Sequence, residues 1–421
     1  MGNFTEHIKV PEPDLSRYQP LNLETVITYV KQRPELQELF SPDEELVSSE
    51  VGDGNLNLVF RIQAKNDPAR SIIIKQALPY VRLVGDSWPL SPDRAIIEGK
   101  ALAIFSAICP DLTPKLYYTD YDMYLNIMED LAPRIILRKG LIKRQHYPNF
   151  TKHIGRYLAR TLGETSDLYL DPQLKKWNAA QFTNPQLCKI TEDLVFTNPY
   201  IKDGNGNHFN PLIAKEVEVI QNDEELHAEM AELKDAFMSH GQALIHGDLH
   251  TGSIMVDAAT TKVMDPEFAF YGPAGFDIGA VIGNLFLNYA SHEGHTLDPG
   301  ERREYQQYLL DLAKGVWENF VAEFQFVWEK QDPVQRPDAY RERYMLKLIQ
   351  DTAGFGGAKM MRRIIGLAHV EDLESIADPE KRAVAEKLGL AIGRRLVKER
   401  SHFSSISDII NVVLTSRPEV F

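Results

Sequence analysis

The stretch Ala243-Leu-Ile-His-Gly-Asp-Leu-His-Thr-Gly-Ser-Ile-Met-Val-Asp257, continued by Lys262-Val-Met-Asp-Pro-Glu267, decides the reading of this chain. An apolar run stands on each side of a loop carrying His246 and Asp248, and two more carboxylates, Asp265 and Glu267, follow directly. Short apolar runs bounded by turn residues read as buried strands, so the loop acids sit on a rigid base. Phosphoryl transfer asks for one acid that accepts the proton of an attacking hydroxyl and a second acidic motif, shortly downstream, that holds magnesium on the ATP phosphates. Asp248 is then the candidate base, and Asp265 with Glu267 the candidate metal clamp. A lone His-x-Asp in a loop is common, so the reading depends on further parts upstream, in order.

The first of these is Ser49-Glu-Val-Gly-Asp-Gly-Asn-Leu-Asn-Leu-Val-Phe-Arg-Ile62, a strand, a glycine turn and a strand. Gly52 and Gly54 can bring backbone N–H groups close to phosphate oxygens, but an Asp-Gly hairpin turn has the same composition. Leu56 and Asn57 stand where a protein kinase has its third loop glycine. Next, the apolar run Ser71-Ile-Ile-Ile-Lys-Gln-Ala77 ends in Lys75. A lysine there either snorkels to water or meets an anion. In a kinase the anions are ATP phosphates and a helix carboxylate. Glu98 is the candidate, because Ala95, Glu98, Leu102 and Phe105 recur at three- and four-residue steps and share an inward face. Between strand and helix, Gly85-Asp-Ser-Trp-Pro-Leu90 reads as a loop in which Trp88 is a packing anchor or a lid. Lys115–Thr119 and Met123–Met128 read as two strands. The second runs into Glu129, Asp130 and Leu131, the place of an adenine-binding hinge or of a plain strand end.

Composition sets bounds on these readings. The chain has 421 residues, 43% hydrophobic and 25% charged, with a net charge of −14. That length suits two lobes. The negative charge, with only short basic clusters at Arg138–Arg144 and Arg394–Arg400, argues against a nucleic-acid partner. The two cysteines, Cys109 and Cys188, form no metal or redox spacing and fit a reducing compartment. The start, Met1 to Glu6, carries no secretory run, and no stretch approaches the roughly 18 apolar residues of a membrane span. A cytoplasmic enzyme without membrane contact is expected. A leading helix over Leu21–Gln32 precedes a strand-rich part to about Met128. A mainly helical remainder follows, with a loop cluster from Phe196 to Pro211 and helical patterns at Gly275–Tyr289, Pro299–Glu329, Asp338–Leu367, Glu380–Glu399 and Ser404–Leu414.

The segments Gly52-Asp-Gly-Asn-Leu-Asn57, Gly85-Asp-Ser-Trp-Pro-Leu90, Met128-Glu-Asp-Leu131, Leu244–Ser253, Asp265-Pro-Glu-Phe-Ala-Phe-Tyr-Gly-Pro273 and Met361-Arg-Arg-Ile-Ile-Gly-Leu-Ala-His369 together resemble the S-methyl-5-thioribose kinases of methionine salvage. The resemblance spans nearly the whole chain. It implies an α+β, bilobal protein-kinase-like fold related to aminoglycoside and choline phosphotransferases. The small N-terminal lobe, built on an antiparallel sheet, would cover 1–128, the hinge 129–131, and the larger helical lobe 132–421. It further implies ATP and Mg2+, a homodimer, and transfer to the 1-hydroxyl of methylthioribose. Asn57, Lys75, Glu129, Asp130, Leu131, Asp265, Pro266 and Glu267 would bind nucleotide and metal, and Asp248 the sugar. Arg362 and Arg363 would reach the sugar from the helical lobe, although adjacent helix positions point about 100° apart and one of the two could be solvated. Ser253 stands where a protein kinase offers an Asn to the metal, and Asp-Pro-Glu replaces Asp-Phe-Gly. The second metal ligand has then moved to Glu267, whose full charge suits a hard cation better than a hydroxyl does. Two rivals remain. One is a kinase of another alcohol or aminoglycoside, which the Arg pair disfavours; the other is a pseudokinase scaffold, which intact Lys75, Asp248 and Asp265 disfavour.

Overall fold

A computed structural model describes residues 12–51, 56–82, 85–331 and 336–418. The glycine turn at 52–55 and the start of the chain, 1–11, lie outside the described residues. The chain divides into two units. One takes the chain up to Ser106 together with Pro114–Leu131; the other takes Ala107–Thr113 and everything described from Ala132 on.

The first unit is organised by a five-stranded antiparallel sheet, in the spatial order Leu46–Glu50, Asn57–Ala64, Asp67–Ala77, Leu125–Glu129, Leu116–Asp120. Alternate residues of a strand point to opposite faces. On one face Phe60, Ile62, Ile72, Ile74 and Ile127 pack with Val26, Tyr29 and Val30, the latter three on a helix at Thr25–Lys31. That helix is shorter at both ends than the expected Leu21–Gln32. Lys75, one step out of phase with Ile72 and Ile74, leaves that core and is flanked in register by Val59 and Asn126. Burial on the Arg94–Ile108 helix follows the expected face: Ala95, Glu98, Leu102 and Phe105 are all buried. The Trp88 segment, expected as a loop, is a short strand, Gly85–Pro89, paired with Tyr80–Val81.

In the second unit a two-stranded and a three-stranded sheet carry the loops of interest. Ala243–Ile245 pairs with Phe270–Gly272, and Ile254–Val256 pairs with Thr261–Val263. The loop of Asp248 and the loop of Asp265 are each pinned by one strand of each pair, so both are anchored at both ends.

Helices make up most of the rest. The 22-residue Ala274–His295 helix is buried on nearly every side, which its apolar composition allows. It packs against the Asp338–Ile365 helix at close range. A Cβ on Gly279 would lie 2.6 Å from the Thr352 carbonyl oxygen, and one on Gly283 would lie 2.6 Å from that of Gly356. Interhelix distance is set by the side chains at the crossing, so these glycines permit a backbone approach that larger residues would block. No helix among the described residues is long and apolar enough to cross a membrane.

Candidate active site

Asp248 follows Gly247, whose φ of +84° is the left-handed region open to glycine. A Cβ there would also fall 2.2 Å from the Phe268 carbonyl oxygen, so the position is closed to other residues. The turn is held by a buried carboxylate absent from the sequence reading. Asp277, in the first turn of the Ala274–His295 helix, accepts from the His246 N–H at 2.6 Å and the Gly247 N–H at 3.0 Å. Burial raises the Asp277 carboxyl, and those two N–H groups oppose the rise. Burial lowers His246, keeping it neutral. Its Nε2 faces the Met264 carbonyl at 2.9 Å, and its Nδ1 accepts from the Asp248 N–H at 3.3 Å. The imidazole therefore ties the Asp248 loop to the residue preceding Asp265.

Around the Asp248 carboxylate the structure gathers four nitrogen groups. Lys359 Nζ lies 2.9 Å from Oδ1, Arg362 Nη2 3.8 Å from Oδ1, Arg363 Nη2 3.9 Å from Oδ2 and His250 Nε2 3.4 Å from Oδ2. Both arginines of the pair thus approach the Asp248 carboxylate. Lys359 was missed by the sequence reading, although it precedes Arg362 and Arg363 by three and four residues, the spacing of a shared helix face. Burial would raise the Asp248 carboxyl, but Lys359, His250, Arg363 and Arg362 outweigh it and hold the group well below the usual carboxylate range. Burial lowers the Lys359 ammonium to about 8, against the opposing pull of Asp248. His250 is pushed well down by burial, against the opposing pull of Asp248. A carboxylate this acidic is a weak ground-state base. A phosphoryl transfer with a loose transition state needs mainly an oriented acceptor hydroxyl, which such a carboxylate supplies.

A further cation stands beside this group. Arg138 Nε is 2.9 Å from Asp372 Oδ2, Asp372 being buried and Arg138 partly so, and a Cβ on Gly252 would meet Arg138 Nη1 at 2.9 Å. Arg363 Nη1 donates to the Ala368 carbonyl at 3.1 Å, which anchors it to the segment after its helix.

Asp265 takes a φ of +70°, uncommon for a residue with a side chain. Glu267 is buried, and its carbonyl accepts from Asn184 Nδ2 at 2.9 Å. Ser253 donates its hydroxyl to the Asp248 carbonyl at 3.0 Å, so it serves the loop's own shape. Among the described residues no group of three or more His, Cys, Asp and Glu side chains forms a metal cage. Magnesium is commonly held by one or two carboxylates plus substrate phosphates and water, and the oxygen donors of Asp265 and Glu267 fit that demand.

In the first unit, Lys75 Nζ meets Glu98 Oε1 at 2.9 Å, the pairing expected of a phosphate-binding lysine. Asn126 Nδ2 supports the other carboxylate oxygen at 3.3 Å. Asn57 is buried, and its Oδ1 accepts from Arg94 Nη2 at 3.0 Å. Arg94 also reaches the carbonyls of Leu56, Leu78 and Ser91, so one buried guanidinium ties the residue after the glycine turn to both ends of the Trp88 segment. Asp130 Oδ2 accepts from Arg61 Nε at 2.5 Å and Ser71 Oγ at 2.6 Å, and Glu129 Oε2 accepts from the Lys115 N–H at 3.1 Å. These side chains brace the segment that ends at Leu131.

A sequence profile of the phosphotransferase enzyme family matches residues 49–320. Methylthioribose kinase 1 of Oryza sativa subsp. japonica is 42% identical over 409 residues, 93% of this chain and 94% of that protein. The methylthioribose kinase of Geobacillus kaustophilus is 44% identical over 372 residues, 88% of this chain and 91% of its own. A solved choline kinase structure from Cryptosporidium parvum aligns over 93% of this chain and 95% of that one, at 12% identity and a TM-score of 0.42. A buried loop carboxylate, a downstream acidic pair and a paired strand lysine are in place, and the identity runs along nearly the whole length; the chain belongs to the methylthioribose kinase family of phosphotransferases.

Proposed function

We propose that this protein transfers the γ-phosphoryl group of ATP to the 1-hydroxyl of S-methyl-5-thio-D-ribose, giving the 1-phosphate used in methionine salvage. The observation that carries the reading is the Asp248 carboxylate set among Lys359, Arg362 and Arg363. A carboxylate orients a hydroxyl, and cations beside it receive a phosphorylated product. A cationic amino alcohol or aminoglycoside would meet like charge there, which supports a neutral sugar over the rival substrates.

In this reading Lys75, oriented by Glu98, binds ATP phosphates, and the Glu129, Asp130 and Leu131 segment receives the adenine through its backbone. Asn57 contributes to nucleotide binding beside them. Residues 1–128, 129–131 and 132–421 divide the work into nucleotide binding, hinge and acceptor chemistry. Asp265 and Glu267, with Pro266 holding the turn between them, would hold magnesium, which supplies charge neutralisation on the ATP phosphates. Asp248 orients the 1-hydroxyl and accepts its proton, while Arg362 and Arg363 bind the oxygens that gain charge. We include in the proposal a homodimer, to be checked by sedimentation, and a cytoplasmic setting.

The test is ADP release measured with methylthioribose, ribose, choline and kanamycin. Methylthioribose should be preferred over ribose by about 1–3 kcal/mol, the worth of a small apolar substituent in a fitted pocket. Arg362→Ala and Arg363→Ala should lower kcat/KM for either sugar. Equal turnover of ribose or choline, or full activity in both Arg variants, would leave only an ATP-dependent small-molecule kinase.

A further inference from the structure

Lys359 is a costly residue where it stands. Its side chain is 4% exposed, its Nζ lies 4.5 Å from the centre of the Phe276 ring, and two arginines follow it on the same helix. A buried ammonium with like-charged neighbours is retained only where a specific anion meets it. That anion is one oxygen of Asp248. Oδ1 receives Lys359 at 2.9 Å, whereas among the described residues Oδ2 faces His250 at 3.4 Å and Arg363 at 3.9 Å. The two oxygens of the same carboxylate are therefore unequal: Oδ1 is engaged, and Oδ2 keeps capacity for a further donor.

We propose that Lys359 is the positioning residue of the acceptor site, holding Asp248 by Oδ1 so that Oδ2 is the oxygen that takes the sugar hydroxyl. The inference rests on the reading of Asp248 as the group that meets the acceptor. In the step it implies, the sugar O–H bond breaks and its proton passes to Oδ2. The sugar oxygen bonds to the γ-phosphorus, and the bond from that phosphorus to the β,γ-bridging oxygen breaks, its electron pair leaving with ADP. Asp248 becomes neutral as the new phosphate arrives. Lys359, Arg362 and Arg363 then exchange one counter-anion for another without changing their own protonation. Asp248 regains its charge by releasing the proton to solvent.

The ammonium must be charged for this. The groups that act on it are Asp248, His246 and His250 from the loop, Asp277 from the Ala274–His295 helix, and Arg362 and Arg363 from its own. Arg138, from the Leu137–Ile142 helix, adds positive charge beside the two arginines. Burial and the arginines put deprotonation at about 8 in the free enzyme. Activity that needs the charged form is present below that pH and lost above it, and kcat/KM reports the free enzyme.

The experiment compares Lys359→Met, Lys359→Arg and Asp248→Asn with the wild type, in full-length protein, by pH profiles of kcat and kcat/KM with methylthioribose and by ATP affinity from calorimetry. Methionine keeps the packing on Phe276, so folding is checked by the melting transition and by retained ATP binding. Lys359→Met should lose about 10²-fold in kcat, the scale of a misplaced catalytic group, with ATP affinity unchanged. Lys359→Arg should keep part of the activity and lose the alkaline limb near pH 8, since a guanidinium stays charged there. Wild-type kcat in Lys359→Met, or an alkaline limb that persists in Lys359→Arg, overturns the proposal. If Asp248→Asn is inactive while both Lys359 variants behave as wild type, this inference fails and the reading of Asp248 stands. If Asp248→Asn is fully active, the underlying reading fails.

Discussion

Replacing Asp248 by Asn should damage both rate and fold, and the two effects have separate origins. The amide cannot accept the hydroxyl proton, and loss of a general base typically costs about 10²–10⁴ in rate. The structural effect follows from the surroundings. Lys359, Arg362 and Arg363 have side chains 4%, 8% and 10% exposed, and Asp248 is the carboxylate that all three approach within 4 Å. Removing one partner of a buried pair costs about 3–5 kcal/mol because a charge stays behind. The Asn oxygen can still accept from Lys359, so a loss near ~3 kcal/mol is expected at neutral pH. The loss should also depend on pH. Lys359 is already lowered to about 8 in the fold, and without Asp248 it falls further. In the variant, the unfolded chain then binds a proton that the folded chain lacks from below pH 8 up to the ordinary lysine range. Stability rises with pH wherever that holds, so the deficit against wild type should shrink between pH 6 and pH 8. Urea unfolding of both proteins at several pH values, beside kcat and calorimetric ATP binding, measures all three quantities. More than about half of wild-type kcat would remove Asp248 from the acceptor chemistry. A stability deficit that is absent, or that grows as the pH rises, would refute the charge argument.

Glu267→Gln should raise the magnesium concentration needed for half-maximal activity, and Ser253→Asn in that background should recover part of it; an unchanged magnesium titration would assign the metal to Asp265 alone. Glu98→Gln removes the anion 2.9 Å from Lys75 and should lower kcat/KM for ATP about tenfold or more, equivalent to about 1.4 kcal/mol, which ATP-dependent initial rates would show or deny. Gly247→Ala forces a side chain onto a φ of +84° and against the Phe268 carbonyl. It should cost about 1–3 kcal/mol in urea unfolding, and an unchanged midpoint would mean that the turn relaxes freely.

The parts of this site that could be read from the sequence are those whose chemistry depends on local order. A strand ending in lysine, followed by a helix with an acid on its inward stripe, makes Lys75 and Glu98 candidate partners, and the structure joins them at 2.9 Å. The apolar runs around His246 and Asp248 likewise imply the strands that anchor the loop. The Trp88 segment went the other way: Gly and Pro suggested a loop, and pairing with Tyr80–Val81 drew it into a strand, an override of local preference by neighbouring backbone.

Lys359, Asp277 and Arg138 were hidden for a different reason. In sequence, a lysine in a helix with arginines three and four residues on is what a solvated helix face also looks like. What turns that face inward is the approach of two helices at Gly279 and Gly283, where carbonyl oxygens of one helix occupy the space that side chains of the other would need. Glycine at four-residue spacing is the visible trace of that approach, yet it says nothing about which residues further along come to face the loop. The same packing brings one turn of helix, Lys359 to Arg363, to a loop more than a hundred residues earlier in the chain. The cost of burying those cations is then offset only by what they meet there. A buried cationic cluster, once observed, therefore argues for an anion at that spot more strongly than any motif in the sequence, and in this protein the anion that meets it is the Asp248 carboxylate.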